Sequence, residues 1–400
     1  MGLLKIFFSL FIISFPIAEV GRIQFPNGVS FSVNDILLFL SIASWLVYII
    51  RKKSKEKNSF LKKPILLFSL VALVSLLLNF QNLGFDKFLV SSLYLLRWFS
   101  YALVYFIVKE FDKKFKVKLT YLLLFSGFAV VLLGYIQYFF YPSLKNLFYL
   151  GWDEHLYRMF SSFLDPNFAG AFFVLFFLYL IGFLRKFIKE KALIKLIVVS
   201  ILSVLTGTAI YLTYSRSALV MLIISIVVFL ILLSKKRLIA AAIGIIILFV
   251  FLAPKSFKTE GTNIFRITSS YERIASVQVA LNIFEKSPVI GIGFNAYRYA
   301  LNKYEGMNNI YWQTTHSGGG TDNSFLFVLA TTGIIGLTSY FFLLYKIFKL
   351  GKDKFKKNIY STILVSSIVG LIVNSLFVNS LFFIFIMEWI WILAGLTESS

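Results

Sequence analysis

Four arginines and one aspartate stand within or beside long apolar runs, where a charged side chain is costly and marks a candidate site. They are Arg97 in LYLLRWFSY, Arg158 shortly before SSFLDPNFAG, Arg216 in LTYSRSALV, Arg273 in SYERIASVQ and Asp322 in TDNSF. A guanidinium binds phosphate or carboxylate through paired hydrogen bonds, and a carboxylate can accept a proton from a hydroxyl group. Each of these residues is therefore a candidate for anion binding or proton transfer.

Each arginine also has a structural interpretation. Arg97 fits either a clamp on an anionic ligand or an internal ion pair that fixes helix packing. Arg216 begins a helix, where a basic charge opposes the helix dipole. This placement favours an anionic ligand bound by the arginine and the first helix amides over a snorkelling guanidinium. For Arg158 and the turn at 165–167 the alternative is simple helix capping, and for Arg273 it is a solvated helix face.

The segment THSGGGTDN holds His316 and ends on Asp322-Asn323, before an apolar run. Either Asp322 or Asn323 can cap a helix that begins there. If Asn323 is the cap, Asp322 remains available as a base. The chain has two histidines, His155 and His316, and no cysteine, and no ligand spacing indicates a metal site. We therefore expect neither a metal nor a cofactor.

Two pairs of glycines also attract attention. Gly291-x-Gly293 matches part of a dinucleotide-binding fingerprint, but that motif requires a βαβ unit, and a tight turn that returns the chain to the membrane fits better. Gly333 and Gly336 lie within an apolar run, and this spacing predicts that a neighbouring helix approaches closely there.

Composition defines the class of protein. The 400 residues are 59% hydrophobic and only 14% charged, and the mean hydropathy is +0.84. A soluble domain is about half apolar and about a quarter charged, so this is an integral membrane protein. The net charge of +22 resides in short loops between apolar runs, which excludes the basic face that nucleic-acid binding needs.

Apolar runs long enough to span a bilayer number about twelve, which predicts an all-α polytopic protein. They are 3–20, 33–50, 64–80, 88–108, 118–140, 162–184, 192–212, 215–233, 238–253, 323–345, 358–378 and 380–397. Alternate loops are rich in Lys and Arg, which collect in the cytoplasm. The pattern predicts cytoplasmic termini, nine helices in 1–253, an external loop at 254–322 and three helices in 323–400. Within the loop, Ile274, Val277, Leu281 and Phe284 share one face of an amphipathic helix that ends at Ser287-Pro288.

Four segments together resemble the O-antigen ligase and O-antigen polymerase superfamily over roughly 155–345. RMFSSFLDPNFAG is similar to the family block of an Arg followed by G-T-F-x-N-P-N-x-x-A, with Arg158 and Asn167 matching and Asp165 in place of an amide. LTYSRSALVMLII is similar to T-x-S-R-[GS]-A, with Arg216 as the arginine. ERIASVQVALNIFEKSPVIGIGFNAY is similar to a third family block. Arg273 matches the arginine of that block, and the tryptophan of the block is absent. DNSFLFVLATTGIIG is similar to H-N-x(9)-G-x-x-G, with Asn323, Gly333 and Gly336 in register.

This resemblance implies a fold similar to integral-membrane GT-C glycosyltransferases. It also implies an enzyme of the bacterial plasma membrane that acts, at the outer face, on glycans linked to undecaprenyl pyrophosphate. The resemblance implies that such an enzyme needs neither metal nor nucleotide. Arg216, Arg273 and Arg158 would bind the pyrophosphate, with Arg97, Asn167 and Asn323 as further substrate-binding candidates. Asp322 replaces the His typical of ligases, which favours a polymerase with Asp322 as the base and His316 as the fallback.

Four functions compete. A polymerase would extend O-antigen or exopolysaccharide chains. A ligase would transfer the glycan to a lipid or protein acceptor, as in lipopolysaccharide biosynthesis. A flippase for the lipid-linked oligosaccharide should show charges deep in several helices and repeat symmetry. A scaffold among other polysaccharide-assembly membrane proteins would tolerate neutral substitution of Arg216 and Asp322.

Overall fold

The computed structural model describes residues 1–25, 28–52, 59–234, 259–263, 268–304, 319–355 and 358–399. This part of the chain is almost entirely helical. In chain order the helices are α1 (Gly2–Ile13), α2 (Val33–Lys52), α3 (Lys62–Leu78), α4 (Phe80–Leu83), α5 (Phe85–Glu110), α6 (Lys113–Phe140), α7 (Pro166–Lys189), α8 (Leu193–Leu212), α9 (Arg216–Leu232), α10 (Thr268–Lys286), α11 (Tyr297–Tyr304), α12 (Ser324–Asp353), α13 (Ile359–Asn374) and α14 (Ile384–Glu398).

One small hairpin interrupts the helical pattern, which the expectation of an all-α chain did not include. Strands β1 (Arg22–Gln24) and β2 (Ser30–Ser32) pair antiparallel, with Arg22 opposite Ser32. The first expected span, 3–20, is helical only to Ile13, and a 3₁₀ turn over Ala18–Gly21 leads into the hairpin. The hairpin therefore occupies the end of the helix bundle.

Six helices of the described chain are long and apolar enough to cross a membrane, namely α2, α5, α6, α7, α8 and α12. Helices α1, α9 and α13 are apolar but shorter. The expected span 238–253 lies outside the described residues. A multi-pass helical membrane protein is thus confirmed, whereas the count of about twelve spans and the external position of 254–322 stay predictions.

Helix α14 forms the centre of the bundle, because every residue from Phe385 to Thr397 is buried. It packs against α5, α7, α12 and α13. Its carboxylate, Glu388, is fully buried and accepts hydrogen bonds of 2.7 and 2.6 Å from the Asn34 amide of α2. A buried carboxylate is tolerated only with such donors, so this pair connects α2 to the core.

Three lysine–carboxylate ion pairs lie at one end of the bundle. Lys5 pairs with Asp112 at 3.0 Å, Lys52 with Glu110 at 3.3 Å, and Lys109 with Glu398 at 2.6 Å. These contacts bring both ends of the described chain to the end of the bundle where α2, α5 and α14 terminate. The opposite end, where α2, α7, α12 and α14 begin, is where the polar cavity described below lies.

Helix α12 is broken at Gly333, whose φ of 66° and ψ of −168° are not helical. The turn and loop at 288–293 fill the break: Ile292 N donates to Ala330 O at 3.1 Å and Ile334 N donates to Pro288 O at 2.9 Å. A Cβ at Gly333 would lie 2.2 Å from Val289 O. The glycine therefore admits this segment, whereas the sequence had predicted the approach of a neighbouring helix. At Gly336 a Cβ would meet the Thr332 side chain of its own helix.

Candidate functional site

A polar cavity of about 740 Å³ opens at the end of the bundle where α7, α12 and α14 begin. Its walls also include the hairpin, α5, α10 and α11. Ligand sites in proteins commonly have volumes of about 300–1,000 Å³. The charged residues among its lining are Glu19, Arg22, Arg97, Asp153, Arg158, Asp165, Glu260, Glu272, Arg273, Arg298 and Asp322.

Helix α10 brings Arg273 to the start of α12. The Asp322 backbone amide donates to Ser276 Oγ at 3.4 Å, and Ser276 Oγ lies 3.0 Å from Thr321 Oγ1. Arg273 is one helical turn before Ser276, so both lie on the face of α10 that meets this segment. Besides burial, the charges that shift the pKa of Arg273 are those of Asp322, Arg216, Asp165 and Glu272. Arg273 thus faces a cavity rather than open solvent.

The rest of α10 differs from the expected pattern. The helix spans Thr268–Lys286 and ends just before Ser287-Pro288, as predicted, but its buried positions are Ala280 and Ile283. Ile274, placed on the apolar face by the sequence, is 66% exposed. The buried stripe follows the contact with α11 and α12, which periodicity within one helix does not reveal.

Asp322 carries the most informative electrostatics. Its side chain opens onto the cavity, and the surrounding walls still displace enough water to raise its pKa through burial, while Arg273 opposes that rise. Asp165 and Glu272 raise the pKa further. Burial also lowers the pKa of Arg273, which Asp322 counteracts and Arg216 reinforces. The result is a carboxylate with enhanced proton affinity beside the Arg273 guanidinium.

The second wall is built from α7 and α9. Asp165 caps α7, with Oδ1 accepting from Asn167 N at 2.6 Å, and Asn167 Oδ1 accepts from Ser215 Oγ at 3.0 Å. Ser215 in turn caps α9, accepting from Ala218 N. Arg216, the first residue of α9, is thereby fixed relative to the α7 residues that line the cavity. The capping role expected for Asp165 is present in addition to its place in the wall.

Arg158 is buried in this wall and its Nε donates to Thr213 O at 3.0 Å. Gln137 of α6 organises the segment, accepting from Phe160 N at 2.8 Å and donating to Arg158 O at 3.3 Å. A glutamine inside an apolar helix therefore orients the chain that carries the arginine. No sequence argument had selected Gln137.

Two other predicted site residues have protein partners. Arg97 forms two hydrogen bonds with Asp35, from Nε at 2.9 Å and from NH2 at 2.5 Å, which is the ion-pair alternative that the sequence left open. Asn323 caps α12 through Phe325 N at 2.8 Å, and its Nδ2 donates to Leu376 O at 3.1 Å. Asp322 is therefore not the cap. His316 lies outside the described residues.

The sequence interpretation overlooked Arg22, Asp35 and Arg298, which line the cavity or partner a lining residue. A signal existed for two of them, since Arg22 is the one basic residue of the loop 21–32 and Asp35 is an acid at the start of an apolar run. Within the described ranges, no group of three or more His, Cys, Asp or Glu residues is arranged to hold a metal ion.

The structure thus defines a multi-pass helical membrane protein with a cavity at one end of the bundle, lined by five arginines and six acidic residues. A family model described as O-antigen ligase matches residues 201–341, the region that includes Arg216, Arg273 and Asp322. The match supports membership of the chain in the O-antigen ligase and O-antigen polymerase superfamily, as the motifs predicted. The family implies transfer of a lipid-linked glycan in a membrane context. A search of curated proteins finds no match.

Proposed function

We propose that the protein polymerises glycans carried on undecaprenyl pyrophosphate, with Asp322 as the general base and Arg273, Arg216 and Arg158 as the pyrophosphate-binding residues. The observation that carries this proposal is the proximity of Asp322 and Arg273 in one cavity, where each shifts the pKa of the other. A base and a cation for the leaving group are the two parts that glycosyl transfer requires.

The proposed reaction is a single displacement. An acceptor hydroxyl oxygen attacks the anomeric carbon of the donor glycan while Asp322 takes the hydroxyl proton. The bond between that carbon and the pyrophosphate oxygen breaks, and its electron pair leaves with the lipid pyrophosphate. The raised pKa of Asp322 improves its proton affinity.

The arginines would supply the positive charge in place of a metal ion. Arg273 and Arg216 lie close enough to repel one another electrostatically, an arrangement that a shared pyrophosphate would stabilise. Arg158, anchored by its Nε on Thr213 O, contributes from the wall that α7 and α9 build. Paired guanidinium–phosphate hydrogen bonds favour the leaving group as its charge develops.

We place the site at the outer face of the plasma membrane, with both termini cytoplasmic. The distribution of basic loops supports this orientation. The grouping of Lys5 and Glu398 at the end of the bundle opposite the cavity agrees with it. Membrane lipids, a lipid-linked donor and a glycan or lipid acceptor are the proposed partners, together with other polysaccharide-assembly membrane proteins.

Ligation to a lipid or protein acceptor is the second candidate, favoured by the description of the matching family as O-antigen ligase. One feature argues against ligation: Asp322 occupies the position at which the ligases that this chain resembles typically carry His. The two functions share the donor and differ only in the acceptor.

Reconstitution with the host's own undecaprenyl-pyrophosphate glycan, without added metal, separates these functions. We expect a ladder of repeat lengths that disappears in Asp322→Asn and in Arg216→Ala. The exposed Lys286→Gln of α10 is the control and should retain the ladder. Transfer to an added lipid acceptor without a ladder would establish a ligase. Full activity of both site variants would refute the proposed catalytic roles.

A further inference from the structure

The break in α12 is completed by hydrogen bonds to the segment 288–293. In a continuous helix, Ile334 N would donate to Ala330 O. Instead, Ile334 N donates to Pro288 O at 2.9 Å, and Ala330 O accepts from Ile292 N at 3.1 Å. Backbone groups inside a membrane bundle require such partners. The two halves of α12 therefore depend on the segment staying in the break.

Two polar side chains of α3 and its end hold the segment in that position. Ser75 Oγ donates to Thr331 O of α12 at 2.9 Å, the carbonyl that also accepts from Gly293 N at 3.0 Å. Asn79, one turn after Ser75, donates from Nδ2 to Gly291 O at 2.9 Å. Both side chains are buried, and neither lines the cavity. They thus fix the segment and α12 together from outside the cavity.

The segment is the direct continuation of α10. This helix ends at Lys286, two residues before Pro288, so the segment sets the position of its last turns. At the cavity, Ser276 of the same helix accepts from the Asp322 amide at 3.4 Å. Because a helix moves largely as a rigid element, displacement of the segment would carry Arg273 with it. The side chains that hold the segment therefore also influence how Arg273 lies relative to Asp322.

We propose that Asn79 and Ser75 are positioning residues for glycosyl transfer, which hold α10 so that Arg273 stays beside Asp322. The proposal rests on the proposed function and adds two side chains that touch neither substrate. Placement of reacting groups has a steep effect on rate, since a displacement of about 1 Å can slow a reaction about 10²-fold. Both residues act by donating hydrogen bonds to backbone carbonyls, so the donor group is what their role requires.

The electrostatics of Asp322 provide a readout that a loss of stability alone would not change. The charges that act on Asp322 are those of Arg273 and Glu272 on α10, Asp165 at the start of α7, and Asp153. Arg273 lowers the pKa of Asp322 and Glu272 raises it, and the effect of Arg273 is the larger. Displacement of α10 should therefore raise this pKa on balance, which moves the acid limb of kcat/KM to higher pH.

The pH profile of the reconstituted full chain tests the proposal. Asn79→Ala and Ser75→Ala should each lower kcat, by up to about 10²-fold, and move the acid limb to higher pH. Asn79→Gln, which retains an amide donor, should reverse part of both changes. Asn82→Ala, at an exposed position of α4, should cause neither. In the Arg273→Gln background, adding Asn79→Ala should move the limb no further upward.

Two results of this experiment would overturn the proposal. One is slower transfer in Asn79→Ala with an acid limb that stays in place, because the side chain would then only stabilise the fold. The other is a further upward displacement of the limb when Asn79→Ala is added to Arg273→Gln, because the effect would then not act through Arg273.

A distance measurement tests the positioning role without relying on activity. The chain has no cysteine, so spin labels on Gln278→Cys of α10 and Thr338→Cys of α12, both exposed positions, report on these two helices alone. The distribution of distances should broaden or shift in Asn79→Ala and not in Asn82→Ala. An unchanged distribution in Asn79→Ala would refute the positioning role. Absence of transfer by the wild type would refute the proposed function, and the distances would still decide whether Asn79 positions α10.

Discussion

The amide of Asp322 donates to Ser276 Oγ at 3.4 Å, which places Arg273, one turn earlier on α10, beside the candidate base. This contact joins two segments separated by almost fifty residues of chain. Because Ser276 also contacts Thr321 Oγ1 at 3.0 Å, the start of α12 is fixed to α10 at two points. The distance between Asp322 and Arg273 therefore depends on how α10 packs against the start of α12.

The base should reveal itself in the pH profile. A carboxylate accepts a proton only when ionised, so kcat/KM falls as pH drops through the pKa of Asp322. Burial raises that pKa above its ordinary value of 3.8, so the acid limb should lie at higher pH than for an exposed aspartate. Removing the base in Asp322→Asn should reduce kcat about 10²–10⁴-fold. A profile that is flat on the acid side would contradict the assignment.

Arg273 should influence that profile as well as the rate. Its positive charge lowers the pKa of Asp322, so Arg273→Gln should move the acid limb to higher pH as well as slow transfer. Because a lysine keeps the charge but not the paired donors, Arg273→Lys should restore the position of the limb more fully than the rate. An acid limb that does not move in Arg273→Gln would argue against direct electrostatic contact.

The ion pair of Arg97 and Asp35 should stabilise the folded protein. Both side chains are largely buried, at 13% and 10% exposure, and loss of one partner leaves the other charge uncompensated. Asp35→Ala should therefore lower the free energy of unfolding by about 3–5 kcal/mol, measured in detergent. The double variant Asp35→Leu with Arg97→Leu should recover much of that loss. If the double variant is as unstable as the single one, the pair is not the cause.

The broken helix should be intolerant of a single methyl group. In Gly291→Ala the new Cβ would lie 2.3 Å from the Thr331 carbonyl carbon, at a φ of +71°. Backbone strain of this kind costs about 1–3 kcal/mol, and relief requires the 288–293 segment to leave α12. We expect a lower thermal midpoint and lower activity, although Gly291 does not line the cavity.

Gly207→Ala provides the matched control for this substitution. It lies inside α8, and its new Cβ would meet nothing nearer than Phe177 Cε2 at 3.7 Å. Alanine is the better helix former by about 1 kcal/mol, so stability should hold or rise. Equal losses in the two alanine variants would show that the close backbone contact is not responsible.

Sequence reasoning recovered the elements with strong periodicity or length. Helices α5, α7, α8 and α12 follow from apolar runs, and α10 from amphipathic spacing ended by Ser287-Pro288. The ends of helices were less certain. The first expected span failed beyond Ile13 because residues 14–21 turn into the hairpin, and hydropathy does not distinguish an apolar turn from an apolar helix.

By itself, the sequence determined that the chain is a helical membrane protein, and it selected Arg158, Arg216, Arg273 and Asp322 as candidates, because charge near an apolar run is costly wherever it occurs. The tertiary structure alone decided how those residues are grouped. In the folded protein, Arg97 forms an ion pair with Asp35 and Asn323 caps α12. Arg22 and Arg298 line the same cavity as the predicted residues. Such choices depend on contacts between distant segments, and local spacing along the chain carries no record of which segments will meet.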